Sequence, residues 1–377
     1  MIKVRREPGF LFLFLLLFCF SLDVQAPISF YGTQFIGLSL LLMYRFFVYP
    51  KISLKCIQLF FFTVIFLEIL CFFQNLYIEK NILILVYQRV IFLISVAILL
   101  YDYLKISNIE VLKKVFSFFI TIMSLVVILQ FFGFYFLNID RALLDFGLLL
   151  GGEESRTWYF GDWVYRPTGI TSEPAIFVGV QFALLAIQYL LDKDVVFSRL
   201  MGVFSLVLSM SFLGMILAGL FLLIVYSKNI KNYIFGVFAF FLFYIFSFEM
   251  INTRIEKFIS GEDGSNNVKI EAFNYFLSDI NITMFGYGFL FRSEGSPQFY
   301  DALLDLTFYL NTFTIFGLLI GSVLISLFIY FLFKSETSIK EKLIILLSLI
   351  KLSNPSVLFF SLFIVLCVSI LKKRKNQ

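Results

Sequence analysis

The chain has 377 residues, of which 60% are hydrophobic and only 15% are charged, and its net charge is +5. Soluble globular domains are roughly half apolar and a quarter charged, so this composition excludes a soluble domain, a disordered chain and a collagen. Histidine is absent, which removes the commonest general base, and the four cysteines lie in apolar runs. The composition predicts an all-α, polytopic integral membrane protein.

The N-terminal segment has the pattern of a membrane-targeting sequence. Lys3, Arg5 and Arg6 precede an apolar run at 10–20, and small or polar residues follow at 24–26. A cleavable signal peptide has the same order of features, but the many later spans favour a retained first helix.

Apolar runs continue along the whole chain. They predict spans at about 28–49, 57–73, 82–100, 115–137, 174–191, 200–226, 233–250, 304–333 and 343–371. Within them, Glu68 and Arg89 lie in neighbouring antiparallel spans, and a buried ion pair would lower the cost of both charges. A proton or ion path is the alternative for these two residues.

The distribution of lysine and arginine predicts the orientation, because these residues favour cytoplasmic loops. Both flanks of 200–226 and of 343–371 carry such charges. Each segment is therefore expected to be a hairpin, with turns near 209–211 and 352–356, although one long tilted helix is the alternative for each. The two hairpins give about 12 transmembrane helices, both termini in the cytoplasm, and a single membrane domain over 1–377.

Two larger polar loops fall on the extracytoplasmic side, at 138–173 and 251–301. Arginine there opposes the orientation preference, and guanidinium groups bind phosphate in a bidentate manner. The pattern indicates a site for an anionic, membrane-borne substrate such as a lipid diphosphate, with local pairing to nearby carboxylates as the alternative. The arginines of these loops are Arg141, Arg156, Arg166, Arg254 and Arg292.

Two motifs carry a family resemblance. An R-P-x-G-x-x-x-E-P segment at 166–174 leads into a span, and F-G-Y-G at 285–288 precedes a later one. In this order they resemble the O-antigen polymerase family (Wzy type), which is related to the O-antigen ligases, over about 140–330. Two departures stand out: the histidine of the ligases is absent, and the paired Arg-x10-Gly motifs of some polymerases are missing.

The resemblance implies a glycosyltransferase-type polymerase at the outer face of the bacterial inner membrane. It would join polyprenyl diphosphate-linked oligosaccharide units into O-antigen or a related surface polysaccharide, as a step of lipopolysaccharide biosynthesis. No cofactor and no nucleic acid are implied, and the partners would be membrane lipids and a chain-length regulator. A lipid-linked oligosaccharide flippase or transporter, an O-antigen ligase and a transferase using polyprenyl monophosphate sugars remain as alternatives.

The implied reaction needs cations for the departing diphosphate and a carboxylate to help deprotonate a hydroxyl. Glu173 and Asp301 are the predicted catalytic residues. Each is expected to precede a span directly, where a carboxylate can also serve only as a helix cap or dipole partner. The predicted diphosphate-binding residues are Arg166, Arg254 and Arg292, followed by Arg156 and Lys269.

Glycine and proline in the same motifs are predicted to shape the loops, because glycine permits tight turns and close backbone approach and proline suits the first helical position. An ordinary turn is the alternative for the glycines. These loop-shaping residues are Gly169, Pro174, Gly286 and Gly288. No metal site is predicted.

Overall fold

The structure is a computed structural model of the chain. It describes residues 9–23, 33–47, 53–74, 76, 80–157, 164–226, 248, 252, 255–256, 259–261, 264–290, 297–303, 306–353 and 357–375. The predicted span at 233–250, apart from residue 248, and the candidates Arg254 and Arg292 lie outside these residues. The described part is helical, with one isolated parallel bridge between Asp23 and Thr171.

The helices follow the apolar runs of the sequence. The first ones are α1 (Phe10–Ser21), α2 (Thr33–Phe47), α3 (Leu54–Gln74), α4 (Lys80–Ile106) and α5 (Ile109–Tyr135). The central part contains the single turns α6 (Arg141–Leu144) and α7 (Phe146–Leu149), then α8 (Pro174–Leu191), α9 (Phe197–Leu208) and α10 (Phe212–Tyr226). The last part contains α11 (Gly264–Ser278), α12 (Ile280–Phe285), a 3-10 helix (Gln298–Ala302), α13 (Phe308–Lys334), α14 (Ile339–Ser348) and α15 (Leu358–Lys375).

Four of the described helices, α3, α5, α8 and α13, are long and apolar enough to cross a membrane. For the described residues, this confirms the prediction of an all-α protein with helices long and apolar enough to span a membrane, while the count of about twelve spans stays a prediction. Helix α8 is the central one, because 89% of its most apolar window is buried, against 22% for α3 and for α13. Helices α3 and α13 therefore expose most of their apolar side chains.

Both predicted breaks in long apolar segments are present. Helix α9 ends at Leu208 and α10 begins at Phe212, with Met210 between them at a φ of +50°. The segment 343–371 is likewise divided, since α14 ends at Ser348 and α15 begins at Leu358. The alternative of one continuous helix is wrong for each segment.

Contacts of charged side chains hold several helix termini together at one end of the helix assembly. Lys113 Nζ, near the start of α5, lies 3.8 Å from a carboxylate oxygen of Asp192, directly after α8. Lys193 Nζ lies 3.2 Å from Glu341 in the first turn of α14. Lys340 Nζ donates to the Val225 carbonyl near the end of α10 at 3.4 Å. Several of the basic residues that the sequence predicts on one side of the membrane thus lie together.

A buried ion pair joins two helices that the sequence did not connect. Arg45 near the end of α2 pairs with Asp102 near the end of α4, and both side chains are 9% exposed. Removing one partner of such a pair leaves an uncompensated buried charge, so the pair ties α2 to α4. Glu68, predicted to pair with Arg89, is exposed; the side chain of Arg89 lies outside the described part.

The start of α13 differs from the prediction. Asp301 was expected to begin this span, but it lies in the separate 3-10 helix. Helix α13 begins only at Phe308, and the Thr307 side chain accepts a hydrogen bond from Leu310 N at 3.3 Å. The prediction that Asp301 directly precedes the span is wrong because Thr307 supplies the N-cap.

Candidate functional site

The segment that carries Arg166 is fixed to α5 by one buried amide. The side chain of Gln130 accepts a hydrogen bond from Gly169 N at 2.8 Å and donates one to Gly169 O at 3.1 Å. Its nitrogen also donates to Leu144 O at 2.8 Å. Gly169 has a φ of +63°, and Phe177 would lie 3.0 Å from a Cβ placed there. The predicted loop-shaping role of Gly169 thus has a structural basis.

Tyr135, the last residue of α5, holds the same segment one residue before Arg166. Its hydroxyl donates to Tyr165 O at 2.8 Å and accepts from Tyr165 N at 3.0 Å. Burial raises the pKa of the Tyr165 hydroxyl above its usual range, and nearby Asp145 and Tyr135 raise it further. Tyr165 is therefore a neutral structural residue and not a candidate base.

Three of the predicted site residues come together at this place. Arg156 Nη1 forms an ion pair with Glu173 Oε1 at 2.7 Å, and Arg166 Nη2 donates to the Arg156 carbonyl at 3.4 Å. The Arg156 side chain is 72% exposed and that of Glu173 is 28% exposed. An anion at the protein surface can therefore reach the guanidinium of Arg156, and a charge pair this exposed is weak. We refer to Arg156, Arg166 and Glu173 as the arginine–glutamate site.

Backbone pairing brings the two arginines to the start of α8. Arg156 N donates to Ser172 O, and Arg166 N donates to Thr157 O, each at 2.8 Å. The short strand-like path before α8 thus lies beside the residues around Arg156, although the two stretches are separated in the sequence. This arrangement places the Arg156 guanidinium on the Glu173 carboxylate and the Arg166 guanidinium beside the Arg156 backbone.

Helix α8 begins as the sequence predicted. Pro174 occupies its first turn, and Glu173 is the N-cap residue with extended backbone and no side-chain capping bond. The Glu173 carboxylate is directed to Arg156 instead. The N-terminus of a helix also favours negative charge, so an anionic group bound here would gain from α8 as well as from the arginines.

A buried carboxylate that sequence reasoning missed shapes the chain just before Arg156. Asp145 is 2% exposed and accepts hydrogen bonds from Gly147 N at 2.7 Å, Ser155 N at 2.7 Å and Ser155 Oγ at 2.6 Å. Its spacing to Gly147 is that of an Asx turn, which is the signal available in the sequence. Nearby, Arg141 pairs with Glu154 at 3.2 Å, which is the local pairing considered as an alternative.

The F-G-Y-G motif packs against α13 at a place where this helix is broken. Gly317 interrupts this helix with a φ of +71°, and Gly286 and Gly288 also have positive φ values, +81° and +76°. Tyr287 N donates to Thr314 O at 2.6 Å and Gly288 N to Ile315 O at 3.0 Å. A Cβ on Gly286 or on Gly317 would collide with the backbone of the facing segment. At Gly286, the close approach predicted from the sequence is thus an approach of backbone to backbone.

The segment 285–288 crosses α13 at its break, and we call this place the crossing. Gln74, the last residue of α3, binds both backbone segments there. Its side-chain nitrogen donates to Phe285 O at 2.8 Å and to Ile315 O at 2.9 Å, and the residue is fully buried. The remaining described candidates lie in the same part of the chain. Lys269 is half-buried on α11, which packs on the 3-10 helix that contains Asp301.

Comparisons of the chain with protein-family models, with curated proteins and with solved structures found no match. The resemblance to O-antigen polymerases stays an expectation that depends on the motifs at 166–174 and 285–288. Within the described residues, no cluster of three or more metal-ligating side chains is found.

Proposed function

We propose that the chain is a glycan polymerase of the O-antigen polymerase type, with about twelve membrane spans and both termini in the cytoplasm. Its substrates are oligosaccharides linked to a polyprenyl diphosphate, and it acts at the outer face of the bacterial inner membrane. The segments 138–173 and 251–301 lie on that face. Membrane lipids and a chain-length regulator are the proposed partners.

The observation that carries the proposal is the adjacency of Arg156, Arg166 and Glu173, with the ion pair at 2.7 Å. In the proposed reaction, the bond between the donor sugar and its diphosphate breaks, and a glycosidic bond forms to a hydroxyl of the acceptor unit. The hydroxyl proton goes to Glu173, and the polyprenyl diphosphate leaves with its negative charge stabilised by the two arginines.

The ion pair between Arg156 and Glu173 suggests that donor binding precedes proton transfer in the proposed reaction. A diphosphate is a stronger partner for Arg156 than a single carboxylate, because it carries more charge and more acceptor oxygens. Binding of the donor would draw Arg156 away from Glu173 and leave the carboxylate next to the reacting hydroxyl. Donor binding would thereby prepare the base.

Arginine substitutions test the proposal in a strain that lacks the gene and carries it on a plasmid. Arg156→Ala combined with Arg166→Ala should lower chain growth at least about 100-fold, because charge-stabilising donors act in the transition state. Lipopolysaccharide gels would then contain single capped units in place of a ladder. Arg141→Ala is the matched control, since Arg141 pairs with Glu154 in the same loop, and it should retain the ladder.

Glu173→Gln separates a catalytic role from a structural one. The ion pair is largely exposed, so its loss should cost less than about 1 kcal/mol of stability while chain growth stops.

A normal ladder in the double arginine variant would refute the proposal. Loss of all surface glycan on gene deletion would instead indicate a flippase, and long lipid-linked glycan that is never transferred would indicate a ligase.

A further inference from the structure

Helix α11, in the second large loop, has three distinct faces. At about 3.6 residues per turn, Ala272 and Phe276 share one face and are buried, at 0% and 2% exposure. A second face carries exposed apolar side chains, and a third carries exposed polar ones. The exposed apolar face consists of Ile270, Phe273 and Leu277, and the polar face consists of Asn267, Glu271, Asn274 and Ser278.

The apolar face is adjacent to the buried face, and the polar face lies on the other side of the helix. Ile270, Phe273 and Leu277 are 50%, 41% and 55% exposed, which is unfavourable for a helix in water. Helices that lie at a membrane interface also expose an apolar face beside a polar face. The helix has only 15 residues, so it is too short to span the bilayer comfortably.

The fold fixes α11 close to α3, one of the long apolar helices. Its Phe276 carbonyl accepts a hydrogen bond from Thr283 Oγ1 in α12 at 2.6 Å, and Tyr275 stacks on Phe299 at 4.6 Å. Ala272 and Phe276 belong to the same buried cluster as Leu67 and Cys71 of α3. Helix α11 therefore cannot turn its apolar face inward without breaking these contacts.

The position of the crossing along α13 indicates how deep α11 and α12 lie in the membrane. Helix α13 is interrupted at Gly317, and its uninterrupted part, residues 318–334, has 17 residues or about 26 Å, which is close to the thickness of about 30 Å of the hydrocarbon core. Ile315, which accepts hydrogen bonds from Gly288 and Gln74, lies about 10 Å from the start of α13. With Lys334 at the opposite boundary, the crossing lies where the lipid chains meet the headgroups. Helix α12 is one short helix of 6 residues, so the C-terminal end of α11, at Ser278, lies within about 15 Å of that level.

An apolar surface also continues from α3 to α11. Phe72 and Phe73 of α3 are 67% and 49% exposed, and Phe73 stacks on Phe285 with the ring planes 12° apart. Phe285 at the end of α12 and Ile280 at its start are exposed too, at 37% and 71%. The lipid-facing side of a spanning helix thus leads directly to α11.

We propose that the face of α11 formed by Ile270, Phe273 and Leu277 is a membrane-docking surface that lies in the lipid bilayer at the headgroup boundary. The second large loop is then not wholly in water, because its longest described helix rests in the interface. Lys269, at the edge of this face, is brought to headgroup level, where its aliphatic stem can lie along lipid and its ammonium group can reach water.

Variants of the full chain that each carry one introduced cysteine, placed in phospholipid vesicles, test this surface. Phe273→Cys and Leu277→Cys report on the apolar face, and Asn274→Cys and Ser278→Cys are matched controls on the polar face. The unmodified chain is the blank, because Cys19, Cys56, Cys71 and Cys367 are all buried. The probes are a membrane-impermeant maleimide and, with nitroxide labels, oxygen and a water-soluble nickel chelate.

We expect maleimide to react at least about tenfold more slowly at positions 273 and 277 than at 274 and 278, because an apolar environment disfavours the reactive thiolate. The nitroxides at 273 and 277 should be accessible to oxygen and inaccessible to the nickel chelate. Equal maleimide reactivity on the two faces would overturn the proposal, since the apolar face would then be in water. Low accessibility to both oxygen and nickel would overturn it too, since protein would then cover the face. Neither result depends on the glycan polymerase activity.

Discussion

At the scale of single residues, one side chain that the sequence did not single out connects three distant backbone groups. Gln130 is 3% exposed and serves three backbone groups, two of them on Gly169, which lies 39 positions away in the chain. A glutamine in an apolar run is visible in the sequence, but its partners are set by the tertiary fold. By contrast, Pro174 and Glu173 at the start of α8 could be predicted, because helix starts have local signals.

We predict that Gln130→Leu destabilises the protein by roughly 2–4 kcal/mol, because buried backbone groups around Gly169 and Leu144 would lose their partners. Thermal unfolding of the detergent-solubilised chain would measure the loss. Thr121→Val is the control on the same helix, since its hydroxyl bonds only to the carbonyl one turn earlier. A loss at Gln130 no larger than that at Thr121 would contradict the anchoring role.

At the scale of elements, the sequence located two helix breaks and missed a third. The breaks between α9 and α10 and between α14 and α15 were predicted because the charges at both flanks required an even number of crossings. The sequence predicts one span over 304–333 and does not predict the break at Gly317. Glycine is frequent in membrane helices, so Gly317 alone is no signal, and its partner segment at 285–288 was recognised only as a motif.

A pair of glycine substitutions tests the crossing at α13. Gly317→Ala should destabilise the chain by more than about 3 kcal/mol, since alanine disfavours the φ of +71° and its Cβ would meet the backbone near Met284. Gly151 has a similar φ of +73° but open space around it, so Gly151→Ala should cost only about 1–2 kcal/mol. Thermal unfolding of both variants gives the difference, and equal losses would mean that the backbone contact contributes nothing.

At the scale of the whole molecule, the sequence predicts the grouping of basic residues better than it predicts the packing of the helices. The lysines of short loops were assigned to one side, and contacts of Lys113, Lys193 and Lys340 gather at one end of the described helices. The central position of α8 had no comparable signal. Its hydropathy of 1.8 is the lowest among the four long apolar helices although it is the most buried. Lipid and protein interiors are both apolar, so composition does not separate them.

Reporter fusions can assign the two ends of the molecule to the two sides of the membrane. We expect a phosphatase fused at Gly152 to be active, and a phosphatase fused at Lys193 or Ser335 to be inactive, because it folds only outside the cytoplasm. A fluorescent protein that folds only in the cytoplasm should give the opposite pattern. The orientation would be wrong if Gly152 and Lys193 reported the same side.

The bridge between Asp23 and Thr171 has a consequence for how the protein matures. Asp23 N donates to Ile170 O at 3.4 Å, and Asp23 O accepts from Ser172 N, directly beside Glu173. The N-terminal segment thus supplies part of the wall beside the arginine–glutamate site. Leader peptidase acting after 24–26 would excise α1 together with this wall, so a processed form would have an opened site.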